Sequence, residues 1–137
     1  MYLLDTNAWI SLFRRKSARL SSELQQHPSA EIALCSIVLT ELWYGVLRSD
    51  PAFRQRNSEM VEQLQATYVS LPFGDVAAKD CAELRAELAI VGQPIGPNDA
   101  LIAAIARTNR ATLVTHNTVE FSRVPRLSVV DWQAPIP

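Results

Sequence analysis

Apolar and polar positions change period several times along this chain, and each change marks an element. Tyr2, Leu3 and Leu4 form a short apolar run closed by Asp5, after which Ala8, Trp9, Leu12 and Phe13 recur at helical spacing. That pattern predicts a strand feeding a helix. "ARLSSELQQH" reads as a second, shorter helix stopped near Pro28. "EIALCS" is a continuous apolar run of strand length, and Ser36 is placed to cap the helix "SIVLTELWYG" that follows. Asp50-Pro51 marks a turn into an amphipathic helix carrying Phe53, Met60, Val61 and Leu64, and "TYVSLP" is a third strand. Asp75, after Gly74, is placed to cap a long helix with a core stripe of Ala77, Cys81, Leu84, Leu88 and Val91. Gly92, Pro94, Gly96 and Pro97 make a stiff loop before "NDALIAAIARTN", a helix opening on Asn98-Asp99. "ATLVT" is a fourth strand, "VEFSR" a short helical turn and "LSVVDW" a final edge strand.

Strands alternating with helices across short loops predict an α/β fold with a mainly parallel sheet. The pattern contains no repeat, linker or low-complexity tract, and 137 residues are the length of one ordinary domain, so residues 1–137 are expected to fold as one unit. Composition agrees: 48% hydrophobic and 20% charged residues exclude a disordered chain. No apolar run approaches the ~20 residues of a membrane span, and the N-terminus lacks the basic region of a signal peptide. Cys35 and Cys81 sit in apolar patterns far apart, as two reduced core cysteines would. A cytoplasmic protein is expected.

The formal net charge of −1 gives no global nucleic-acid signature, though cations cluster locally. Arg14, Arg15 and Lys16, with Arg19 nearby, follow the first helix. Complementing the helix dipole is the ordinary reading of such a cluster, and contact with phosphates is the functional one.

The acids change the picture more. In parallel α/β sheets ligands bind beyond the carboxyl ends of the strands, where the next helices begin. Asp5 ends the first strand, and Glu41 lies just over one turn into the helix after the second. Asp99 opens the helix before the fourth strand, and Glu120 follows that strand. Each has an ordinary explanation taken alone: Asp5 and Asp99 as helix caps, Glu120 as a surface residue. Glu41 resists one, because it sits among Ile37, Val38, Leu39, Leu42, Trp43 and Tyr44, five residues past Ser36. An isolated carboxylate in apolar surroundings costs several kcal/mol unless paired, protonated or metal-bound. A buried salt bridge is one solution. Four acids from four segments meeting at one sheet edge, with cations between them, is the other. Oxygen-only ligands suit Mg²⁺ or Mn²⁺ rather than zinc. Thr6, Asn7, Thr40, Asn98, Thr115 and Asn117 lie beside the acids in sequence and could orient them or hold water. Two such ions roughly 3.5–4 Å apart serve in-line attack on a phosphodiester.

At this point "LLDTNAWI", "SIVLTELWYG", "GPNDALIAA" and "LVTHNTVEFSRVPRLSVVDW", in this order, resemble PIN-domain ribonucleases, most closely the VapC toxins of bacterial toxin–antitoxin pairs. The resemblance implies a three-layer α/β/α sandwich that forms a homodimer and cuts RNA with Mg²⁺ or Mn²⁺, leaving 5′-phosphate and 3′-hydroxyl ends. Carried over residue by residue, it makes Asp5, Glu41 and Asp99 catalytic metal ligands. Asn117 stands where many members have aspartate. Glu120 is therefore the expected fourth acid, with Asn117 as an uncharged helper, which leaves one or two metals open. Arg14, Arg15 and Lys16 become candidates for RNA binding, His116 an optional extra, and Trp9 core. The closing block resembles that of members that cut initiator tRNA, so tRNA is the expected substrate. The resemblance also implies a VapB-type antitoxin whose Arg or Lys could displace the metal, operator DNA reached only through that antitoxin, and no membrane partner.

Three other readings compete with this one. A phosphatase of the haloacid-dehalogenase type needs a second aspartate two residues after the first, where Asn7 stands. A receiver-like switch needs an acidic pair after the first strand and a mid-chain phospho-accepting aspartate, and the sequence offers neither. A non-catalytic PIN-fold module, acting only through its antitoxin and DNA, is the remaining alternative, and Asn117 is the residue that keeps it open.

Overall fold

The computed structural model describes residues 1–135. Five strands, β1 (Tyr2–Leu4), β2 (Ile32–Cys35), β3 (Val69–Leu71), β4 (Thr112–Val114) and β5 (Val129–Val130), pair in the order β3-β2-β1-β4-β5, every pair parallel. The helices are α1 (Thr6–Phe13), α2 (Ala18–Gln25), α3 (Ser36–Arg48), α4 (Pro51–Thr67), α5 (Asp75–Ile90), α6 (Pro97–Thr108) and α7 (Thr118–Phe121). A 3-10 turn at Ser29–Glu31, which the sequence pattern missed, precedes β2.

Strand order explains the layers. The connections β1→β2 and β2→β3 run one way across the sheet, whereas β3→β4→β5 run back. With right-handed crossovers, α1–α4 then cover one face and α5–α7 the other. The packing follows: α1 touches α2 and α3, α3 touches α4, and α5 packs on α6. The two central strands, β1 and β2, are buried on both faces except for Tyr2, which is why they read as unbroken apolar runs. Leu3, Leu4, Ile32, Leu34, Leu113, Trp9, Leu84, Ile102 and Ile105 form the middle of the core. Both cysteines are buried and unbridged.

Several expectations need correction at element ends. Cys35, not Ser36, occupies the cap position of α3, and Gly74, not Asp75, that of α5. The helix α6 starts at Pro97, so Asp99 is its third residue and the cap position is Gly96. Proline at the first helical position loses no hydrogen bond there. Val91, expected in the core stripe of α5, lies past the helix end and is 63% exposed. Phe53 on α4 is also exposed, leaving Val61 as that helix's buried anchor.

The crevice between β1 and β4 is where the chain reverses direction across the sheet, the usual place for a ligand in this architecture. Beyond the strand ends there, α3 of one layer touches α6 of the other.

Candidate active site

Asp5 anchors this edge. Its backbone N–H donates to the Val114 carbonyl at 3.1 Å, extending the β1–β4 pairing by one residue. Its Oδ1 accepts from the Ala8 amide at 2.8 Å as the cap of α1, and its Oδ2 accepts from the Thr115 hydroxyl at 2.6 Å. Capping and site placement are therefore one arrangement rather than alternatives. Burial pushes the Asp5 carboxyl above its ordinary value; its two hydrogen bonds oppose this, and the charges of Glu41 and Asp131 add to it.

A chain of hydrogen bonds runs from Asp5 to the other side of the crevice. Thr115, whose hydroxyl donates to Asp5, accepts from the Asn117 amide at 3.0 Å. The Asn117 side-chain amide donates to Glu120 Oε2 at 2.9 Å, and the Gly96 amide donates to Glu120 Oε1 at 2.7 Å. Asp99 Oδ2 and Glu120 Oε1 both lie 3.6 Å from the position a Cβ would take on Gly96. The Gly96 and Asn117 donors hold Glu120 below its ordinary range. Asp99 is pushed the other way, to about 6, first by burial, then by the Glu120 charge and a hydrogen bond to it, with smaller contributions from Asp5 and Glu41. Asp99 and Glu120 thus meet at one end of the crevice, and their environments push the two titrations apart, Asp99 upward and Glu120 downward.

Glu41 is half-buried, not enclosed as its sequence neighbours suggest. The buried stripe of α3 is Val38, Leu42 and Val46, and Glu41 flanks it, facing the groove together with the exposed Tyr44 and Gly45. Its Oε1 accepts from the Thr6 hydroxyl at 3.0 Å. Thr6, Asn7, Glu41 and Asn98 line one cavity of about 500 Å³. Thr40 does not join them: its hydroxyl donates to the Ser36 carbonyl at 2.9 Å, and it lines a different depression with Trp43 and Leu47.

Of the basic cluster, Arg14 caps the C-terminus of α1 and lines a second cavity of about 330 Å³ with Glu41 and Arg56. Arg15, in the left-handed conformation at φ 53°, and Lys16 are exposed just beyond the helix end. Trp9 is core, packed on Tyr68 with ring centroids 5.3 Å apart.

The sequence reading passed over Asp131. It follows β5, its charge is felt at Asp5, and its Oδ2 lies 2.9 Å from His116 Nδ1. The strand-end rule that selected Asp5 also selects Asp131 once β5 is placed in the sheet beside β4.

The acids fit a hard divalent cation by their chemistry: all donors are oxygens, and burial together with neighbouring carboxylates raises Asp5 and Asp99 above their ordinary values. Among the described residues no three acidic, histidine or cysteine side chains form a closed ligand set.

Comparison with known proteins meets this geometry. The model of the PIN domain family matches residues 2–127. This chain is a PIN-domain protein. Within that family it belongs with the VapC ribonucleases. It is 34% identical to the tRNA(fMet)-specific endonuclease VapC of Shigella flexneri over 96% of this chain and 97% of that one. The fold agrees with the crystal structure of VapBC2 from Rickettsia felis bound to a DNA fragment from their promoter, at TM-score 0.85 and 34% identity, covering 96% of this chain and 98% of that one. It agrees equally with DNA-bound VapBC from Salmonella typhimurium, at TM-score 0.87 and 34% identity over 96% and 97% of the two chains. The α/β class and the parallel sheet expected for this VapC-family PIN protein are both present.

Proposed function

We propose that this VapC-family chain is a toxin endoribonuclease that hydrolyses RNA phosphodiesters with Mg²⁺ or Mn²⁺ held by Asp5, Glu41, Asp99 and Glu120. The observation that carries the reading is the hydrogen-bonded line Asp5–Thr115–Asn117–Glu120–Gly96, which brings acids of separate segments to one crevice. A divalent ion bound there supplies countercharge to the phosphate and acidifies a water. The chain's own residues do the rest. Asp5 is fixed by two donors, Glu41 by Thr6, and Asn7 and Asn98 present amides along the cavity wall. Asn117 replaces a fourth aspartate as the group that aims Glu120.

A tRNA is the first substrate to try, because a relative 34% identical to the chain is a tRNA(fMet)-specific endonuclease. A VapB-type antitoxin is the expected partner, in line with the VapBC complexes among the solved neighbours; contact with operator DNA is then made by the antitoxin. Homodimerisation is part of the same proposal, and the exposed Leu47 on α3 and Val69 on β3 leave apolar surface for it; light scattering of the purified chain at twice the 15.2 kDa chain mass checks it.

The deciding experiment incubates purified protein with total tRNA, with Mg²⁺ or EDTA, alongside the Asp5→Ala and Asp99→Asn variants. Cleavage that requires metal and disappears in both variants is expected. Cleavage that survives EDTA or either substitution overturns the mechanism, and cleavage of no RNA, with tight binding to an antitoxin, favours the non-catalytic module.

A further inference from the structure

Cleaving single-stranded RNA calls for a ring on which a base can stack and a cation for the adjoining phosphate. Trp9 is not that ring, being 1% exposed. The helix that carries Glu41 supplies another. Counting along α3, positions 41, 44, 45 and 48 share one face, and Glu41, Tyr44, Gly45 and Arg48 all line the cavity of about 500 Å³ that also contains Thr6 and Asn98. The Tyr44 ring is 59% exposed, and the Arg48 guanidinium lies over it at 5.2 Å from the centroid. An exposed aromatic held beside a cation, on the wall of a site rather than on open surface, is the pairing used to grip nucleic-acid strands without reading their sequence.

Gly45 lies where the two cavities share a wall. It lines the one with Tyr44 and Arg48 and also the one with Arg14 and Arg56, with Glu41 common to both. A Cβ built on Gly45 meets nothing within 4 Å, so neither crowding nor backbone strain calls for glycine here, although glycine weakens a helix interior relative to alanine. What its bare backbone leaves is open space beside Glu41 in the wall that the two cavities share.

Resting on the ribonuclease reading above, we infer that Tyr44 and Arg48 form a nucleotide subsite, in which Tyr44 stacks a base next to the cleaved phosphate and Arg48 contacts a neighbouring phosphate, with the strand crossing at Gly45. Both are positioning residues for the substrate.

The test measures binding of a fluorescently labelled tRNA anticodon stem-loop by anisotropy, in an Asp99→Asn background that prevents cutting, and cleavage kinetics in the active protein. Tyr44→Ala is expected to weaken binding about 5- to 150-fold, the range measured for loss of one stacked base. Tyr44→Phe stays within about twofold of the parent, as the ring alone matters. Arg48→Gln lowers the slope of log K against log salt by about one. In the active protein Tyr44→Ala raises KM far more than it lowers kcat. Gly45→Leu raises the melting temperature yet weakens RNA binding by about tenfold or more, a combination that a purely structural glycine does not give.

Unchanged RNA affinity in Tyr44→Ala, or an equal loss in Tyr44→Phe, overturns the inference while leaving the ribonuclease reading standing. So does a Tyr44→Ala effect confined to binding of an antitoxin peptide, which assigns the surface to the partner. A parent chain that neither binds nor cuts RNA overturns both.

Discussion

Asp99 is where the chemistry of single residues is most exposed. Its carboxyl stands at about 6 because of burial and the facing charge of Glu120, whereas the same group in an unfolded chain titrates near ~3.9. A raised folded value contributes stability that is full below ~4 and is lost as the pH climbs through ~6. The metal-free protein is therefore expected to melt at progressively lower temperature from pH 5 to pH 7, relative to Asp99→Asn, which has no proton to lose at that position. If Mg²⁺ binds these oxygens as proposed, it should restore the melting temperature most at pH 7 and release protons on binding at pH 6, read by calorimetry in buffers of different ionisation enthalpy. Glu41→Gln gives a second residue-scale result. It removes one negative charge from the crevice and keeps a side-chain oxygen to accept from Thr6. Cleavage should fall by about 10²-fold or more, the scale of losing an interaction that acts on developing charge, with the melting temperature equal to or above that of the parent.

At the scale of elements, Asp5 caps a helix and is a proposed metal ligand, and two substitutions separate those roles. Asp5→Asn keeps a side-chain oxygen for the Ala8 amide, and asparagine caps helices about as well as aspartate. Asp5→Ala loses the cap and strands the Thr115 hydroxyl. Urea unfolding should place Asp5→Ala about 1–2 kcal/mol below Asp5→Asn, with both inactive in cleavage. Elements also show what was readable beforehand. The strands were legible because β1, β2 and β4 are continuous apolar runs with punctuated ends, and a parallel sheet follows from their alternation with helices. The face that Glu41 presents was not legible: with Leu39, Leu42, Trp43 and Tyr44 around it, α3 reads as apolar all round. Only the packing of α3 on α1, α4 and α6 distinguishes the buried stripe from the groove side. Cap positions slipped by one residue at α3 and α5 because serine or aspartate at the first helical position and at the cap look alike in sequence.

For the whole molecule, one half-buried ion pair ties the layer opposite Glu41 together. Arg107 of α6 donates to both carboxylate oxygens of Asp80 on α5 at 3.0 Å and to the Pro125 carbonyl at 2.9 Å, with its side chain only 6% exposed. Arg107→Ala leaves the partly exposed Asp80 carboxylate without its partner, so it is expected to cost about 1–3 kcal/mol in urea unfolding, while Arg107→Lys recovers part of it as a single point charge in place of a planar fork. Nothing in the local pattern pairs residues 27 positions apart, which is why this clamp, like the His116–Asp131 contact, emerges only from the fold. The four acids were legible as a set because the strand-end rule needs only element order. Their division into a couple that shifts each other's titration, Asp99 with Glu120, and two separately braced members, Asp5 and Glu41, depends on Gly96, Asn117 and Thr115 coming together in three dimensions.

The bond from Thr115 to Asp5 joins residues 110 positions apart, and that separation translates into time. Asp5 is among the first residues made, yet its partner and the strand β4 that aligns it emerge only after those intervening residues have been added. At ~5–20 residues per second of synthesis, the crevice stays incomplete for roughly 5–20 s after its first acid appears. A nascent chain of this protein therefore carries the parts of its site on the ribosome without the site itself, and any cutting of RNA must wait until translation has passed Glu120.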